Sequence, residues 1–62
     1  MRNTNRIFPF TYAFAAFWSE FFPDLRFSQV VSFLQEHGDG DPFYWEEEKW
    51  LEIMENIKKE RN

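Results

Sequence analysis

The apolar residues of this chain fall into three runs with helical spacing, separated by two breaks. In the first run Phe10, Ala13, Phe14, Phe17 and Phe21 recur every three or four positions, while Tyr12, Ala15, Ala16, Trp18 and Phe22 populate the other sides. A helix apolar nearly all round is either central to a core or shares a surface with a partner. Pro9 suits the first turn of such a helix, where its missing N–H costs nothing. Pro23 ends it, because the residue before a proline avoids the α region. The pattern predicts a helix over 9–22, preceded by a polar lead-in, 1–6, that is expected to be frayed or extended.

The second run, Phe27, Val30, Val31 and Leu34 with Phe33 and His37 flanking, predicts a helix over 26–37. Asp24 is a candidate cap for it and Leu25 a candidate apolar staple just outside it. Gly38 suits the left-handed residue that closes many helices. A Gly/Asp/Pro loop then spans 38–44, with Phe43 and Tyr44 read as an extended anchor. Asp41-Pro42 has the form of a helix start, but that start would set Phe43 and Tyr44 above Glu47 and Glu48 and spoil the apolar stripe. The third run, Trp50, Ile53, Met54 and Ile57 with Leu51 alongside, predicts a helix over 46–60. Glutamates then occupy its first turn and Lys58, Lys59 and Arg61 its last, which complements the helix dipole at both ends. The expected fold is all-α: a compact three-helix domain over 1–62, with Phe14, Phe17, Phe21, Val30, Leu34, Trp50 and Met54 as core.

Composition changes the picture in one respect. Sixty-two residues allow one domain with a modest core, and the absence of cysteine removes any disulfide or thiolate–zinc staple. Yet nine Phe, three Trp and two Tyr make 23% of the chain aromatic. Each ring buries about 150–250 Å². Three short helices cannot enclose them all, and the aromatic surface left over is a natural docking surface.

Charge narrows the function classes. The formal net charge of −4 opposes phosphate backbones, whose affinity depends on Lys and Arg. The distribution is uneven: Arg2 and Arg6 lead, Glu36, Asp39, Asp41, Glu46, Glu47 and Glu48 form an acidic block, and three basic residues close the chain. The apolar run from Phe8 to Phe22 is broken by Pro9, Ser19 and Glu20, short of the roughly 18 apolar residues a membrane span needs. It also lacks the small-residue cleavage site of a signal peptide. With no cysteine besides, the chain is expected in the cytoplasm.

Two strings, P-D-L-R-F-S-Q-V-V (Pro23 to Val31) and D-P-F-Y-W-E-E-E (Asp41 to Glu48), resemble a pattern in small uncharacterised bacterial and phage proteins. Those read Pro-Asp-Leu-Arg-Phe-Gly-Gln, a glycine-containing loop, then Asp-Pro-Phe-Tyr and an acidic helix start. The likeness covers roughly half the chain. It departs at Ser28, where the pattern has glycine, and at Trp45, where a smaller residue is common. The resemblance implies a compact helical domain of mobile-element origin and carries over no catalytic residue.

Candidate chemistry is sparse. His37 beside Asp39 and Asp41 invites a metal reading, but one histidine with aspartates in a glycine loop offers no defined ligand geometry. Asp39-x-Asp41 also lacks the third oxygen ligand and the sixth-position glycine of a calcium loop. Neither a nucleophile–base pair nor a phosphate loop is present, and Glu46, Glu47 and Glu48 point in different directions around a helix. No enzymatic activity, metal or other cofactor is expected. The expected function is a small acidic protein–protein interaction module, an accessory or inhibitory protein of a phage or other mobile element. The alternatives are a helical nucleic-acid binder using the basic ends and a homo-oligomer. The protein-binding residues expected are Trp18, Tyr44 and Trp45 with Arg26 and Glu48 as a polar rim, because interfaces favour Trp, Tyr and Arg. The competing role for Arg26 is a surface arginine stacked on a ring or paired with Glu47 or Glu48.

Overall fold

The computed structural model describes residues 3–61 and holds three α-helices: α1 Ile7–Phe21, α2 Phe27–Glu36 and α3 Glu47–Arg61. Two single 3-10 turns, Thr4–Arg6 and Pro42–Tyr44, precede α1 and α3. No strand occurs among the described residues. The all-α three-helix fold is the one the sequence predicts. Two contacts fix how the helices run. Arg6 reaches Glu47 at 2.7 Å, bringing the starts of α1 and α3 together. The Arg61 guanidinium lies over the Phe22 ring at 4.8 Å, bringing their ends together. Helices α1 and α3 therefore run side by side in the same direction, and α2 returns between their ends.

The first helix starts earlier than predicted. Asn3 caps the Thr4–Arg6 turn, its side chain accepting from the Asn5 N–H at 2.9 Å, and that turn leads straight into α1. Pro9 is the third residue of α1, still inside the first turn, so the expectation that proline marks the beginning was two residues late. Residues 4–6 of the lead-in, expected to be frayed or extended, form this turn, while Met1 and Arg2 lie outside the described residues. Helix α1 closes where Pro23 requires, with Phe22 off the helical backbone and its N–H on the Trp18 carbonyl at 3.0 Å.

Arg26 stands at the N-cap of α2 in extended conformation, and Gln29 reaches back to accept its backbone N–H at 2.8 Å. This reciprocal arm of a capping box displaces Asp24 from the expected role. Leu25, one residue before the cap, packs onto the core as a staple residue does. In the loop, Asp41 accepts from the Phe43 N–H at 3.0 Å and caps the 3-10 turn Pro42–Tyr44. Phe43 and Tyr44 are thus coiled, not extended, and both are exposed, so they anchor nothing within the domain. Gly40, at φ 78°, is the left-handed glycine of this loop; Gly38, expected to be, is not.

Six side chains form the core: Phe17, Val30, Leu34, Ile53, Met54 and Ile57. Phe17 is wholly buried, with Phe21 and Phe22 against it at ring distances of 5.4 and 5.7 Å. Phe14, Phe21 and Trp50, predicted as core, are half-buried around it. The core closes around a single residue of α1, so rings one turn away on either side already reach the edge. On α3 the shorter Ile53 and Ile57 fit the space beneath α1 and α2, and the broad Trp50 ring is pushed to the rim.

Replacing Phe17 with alanine is expected to lower stability by about 3–5 kcal/mol, enough to unfold a domain this small. Urea denaturation followed by circular dichroism measures it. A variant that melts cooperatively at the parent midpoint would show that Phe17 is not the keystone.

Candidate functional site

Helix α1 carries the candidate site because it is apolar beyond what its packing uses. Its 15 residues include one charged side chain, Glu20, and one fully buried side chain, Phe17. At about 100° per residue, Phe8, Tyr12, Ala15, Ala16 and Ser19 share the side opposite the core. Phe8 is 80% and Tyr12 79% exposed, an unusual position for two large rings. The expected binding residues include neither: Tyr12, a hot-spot residue type like Trp18 and Trp45, gives way there to Trp18, and Phe8 reads only as the start of the apolar run. Their i, i+4 spacing away from the Phe10–Phe17 stripe was the signal that marks a second apolar face.

A groove flanks α1 on each side. Between α1 and α2, Phe10 and Phe14 face Phe27, Val31 and Leu34, with Trp50 closing the floor around an open volume of about 380 Å³. Phe27 meets Phe14 edge-on at 5.9 Å and lies 6.1 Å from Trp18, yet stays more than half exposed. Between α1 and α3, Ala13 faces Leu51 and Met54 across about 350 Å³ of open space. Glu48, Glu52 and Glu55 edge this second groove. They stand at i, i+4 and i+7, which is one face of a helix.

The five residues expected to bind a partner do not meet. Trp18 and Arg26 flank the α1–α2 turn at one end of the domain; Tyr44, Trp45 and Glu48 lie at the other, where α3 begins. Both tryptophans are half-buried and fastened by their indole N–H groups. Trp18 Nε1 donates to the Leu25 carbonyl at 3.0 Å and so ties the turn to α1. Trp45 Nε1 donates to the Asp39 carbonyl at 3.0 Å, and its ring meets Trp50 edge-on at 4.9 Å. Arg26 is exposed at the start of α2, and Glu47 pairs with Arg6 instead. Tyr44 is 77% exposed beside Phe43, and Glu48 is exposed on the second groove.

Trp45 explains Gly38. A Cβ at Gly38 would overlap the Trp45 ring and stand 2.8 Å from Ile53 Cδ1, so the backbone must pass bare beneath the indole. Asp39, whose carbonyl accepts from the Trp45 indole, pairs through its carboxylate with Lys49 at 3.1 Å. The Lys49 hydrogen bond and charge hold the Asp39 carboxyl below the ordinary aspartate value. His37 packs against Phe33 at a tilt, ring centres 4.3 Å apart, and its Nδ1 lies 3.0 Å from the Phe33 carbonyl. The three residues of the metal reading thus have separate structural partners, and no three His, Asp or Glu side chains converge among the described residues. Nor is any described helix long and apolar enough to cross a membrane.

No family model, curated protein or solved structure matches the chain.

Two outcomes follow from the Trp45 latch. Gly38→Ala is expected to destabilise by about 1–3 kcal/mol, since a packed ring must shift; equilibrium unfolding measures it, and an unchanged midpoint contradicts the latch. Because the Asp39 pKa is lowered on folding, its pair with Lys49 stabilises above the unfolded aspartate pKa and loses that effect as pH falls through the folded one. In Lys49→Met an NMR titration of the Asp39 carboxyl carbon should show its pKa rising toward the ordinary value. No change would mean that Lys49 does not set it.

Proposed function

We propose that the chain is a small acidic protein–protein interaction module that docks its partner on α1. The observation that carries this reading is the second apolar face of α1, with Phe8 and Tyr12 about four-fifths exposed on a helix bearing a single charge. Rings are the side chains that supply most of the energy at protein interfaces, and apolar surface of this kind gains free energy only when another surface covers it. An accessory or inhibitory role in a phage or other mobile element is the biological setting proposed, on the resemblance of the Pro23–Val31 and Asp41–Glu48 strings. A second copy of the chain is the alternative partner. It is favoured by the sparse charge of α1, Glu20 alone, which lets two molecules of charge −4 meet there with little repulsion.

The double variant Phe8→Ser/Tyr12→Ser tests the reading without touching the core. Peptides selected from a display library against the full chain should lose at least about tenfold in affinity for the variant, while its circular dichroism stays that of the parent. Sedimentation of both forms separates the alternative: a parent dimer that the variant abolishes assigns the face to self-association. Ligands that bind parent and variant equally would remove α1 from the function.

A further inference from the structure

We infer that the groove between α1 and α3 selects a basic amphipathic helix; this deepens the module reading above and rests on it. The groove has two chemically distinct edges. On the α1 side Ala13 lines it, and Pro9 and Ala16, one turn away on either side, continue the same face without charge. On the α3 side Leu51 and Met54 form the floor, Glu48, Glu52 and Glu55 stand along the rim, and Lys58 closes its far end, so carboxylates outnumber cations three to one in the lining. Successive rim carboxylates are four and three residues apart, rises of roughly 6 and 4.5 Å. A helix laid along the groove repeats its own positions at the same interval, so one face of it can present a cation to each carboxylate in turn.

Charge decides the sign of the occupant. Glu48 makes no ion pair among those found for the described residues. Glu52 has Lys49 only at 4.0 Å and Glu55 has Lys58 at 3.6 Å, and both carboxylates are more than 60% exposed. Such open pairs contribute little and are readily exchanged for a partner's lysines or arginines. The apolar floor supplies the complementary demand: without an apolar face the partner would leave Leu51 and the α1 edge uncovered. Ala13 and Ala16 lack long side chains, which lets a helix backbone come close. The partner chemistry is therefore a helix with leucine-like residues on one face and cations flanking it, as in other helix-in-groove recognition.

The test uses the full chain, ¹⁵N-labelled, and two synthetic 18-residue helices of about equal length and hydrophobicity, one Leu/Lys and one Leu/Glu. The Leu/Lys helix is expected to bind, with amide shifts centred on Ala13, Leu51 and Glu52. Neutralising the rim in Glu48→Gln/Glu52→Gln/Glu55→Gln should weaken it about tenfold or more. A control of equal net charge, Asp24→Asn/Glu36→Gln/Glu60→Gln, lies off the groove and should weaken it less than about threefold, by screened long-range attraction alone. Equal losses in the two triple variants, equal binding of the Leu/Glu helix, no binding of either, or shifts centred on Phe10 and Phe27 would each overturn the inference. The module reading fails separately: it falls when the Phe8→Ser/Tyr12→Ser variant keeps every selected ligand, whatever the charge of the peptide.

Discussion

Enclosure of Phe17 is the constraint from which the remaining packing of this domain follows. Three helices of 15, 10 and 15 residues can surround one ring completely, and they do so with Val30 and Leu34 from α2 and Ile53, Met54 and Ile57 from α3. Every other aromatic side chain then takes a place on the rim or outside it. Burial on this scale leaves a narrow margin between apolar gain and chain entropy. The rim rings accordingly stabilise as well as line the grooves: Phe14, Trp18 and Phe27 touch one another, and Phe22 bridges Phe17, Phe33 and Arg61.

The tryptophans show how the chain combines apolar area with directional bonds. Trp18 and Trp45 each cover the core edge with an indole and then donate to a carbonyl in a connecting segment, Leu25 in one turn and Asp39 in the other. Both connections are short of regular backbone pairing, and the indole supplies a partner that helix or strand would otherwise provide. The two segments are thereby held in one conformation without cysteine or metal. The partner proposed for α1 would meet a scaffold already braced at both turns, which lowers the entropy cost of association.

The three helices were legible in the sequence because period and punctuation agree. Pro23 and the glycine loop mark the breaks, and the runs on Phe17, Val30 and Ile53 keep their inward faces in the structure. Less legible were features that depend on distance between elements. Arg6 read as part of a loose lead-in because its partner, Glu47, lies 41 residues away. Gly38 read as a left-handed closure, whereas its lack of a side chain serves the passage beneath Trp45. The same limit applies to which rings stay exposed. Residue type marked Trp18 and Trp45 as binders, but which indole N–H finds a carbonyl is set by the fold of the turns, and once bonded the rings are fixtures of the domain. Tyr12 and Phe8 were visible only as members of an all-round apolar helix, and the side of that helix left uncovered is decided by how many neighbours the chain is long enough to supply.

Helix α3 is clasped at both of its limits, by the Arg6–Glu47 pair at the first residue and by Arg61 over Phe22 at the last. Helices ordinarily loosen from their ends, where hydrogen bonds are fewest and water has access. Here the end turns cannot unwind without parting from α1 and the residue that follows it. A helix so secured behaves as a stiff bar, and the spacing of the carboxylates along it is preserved through the motions that would blur it in a free peptide.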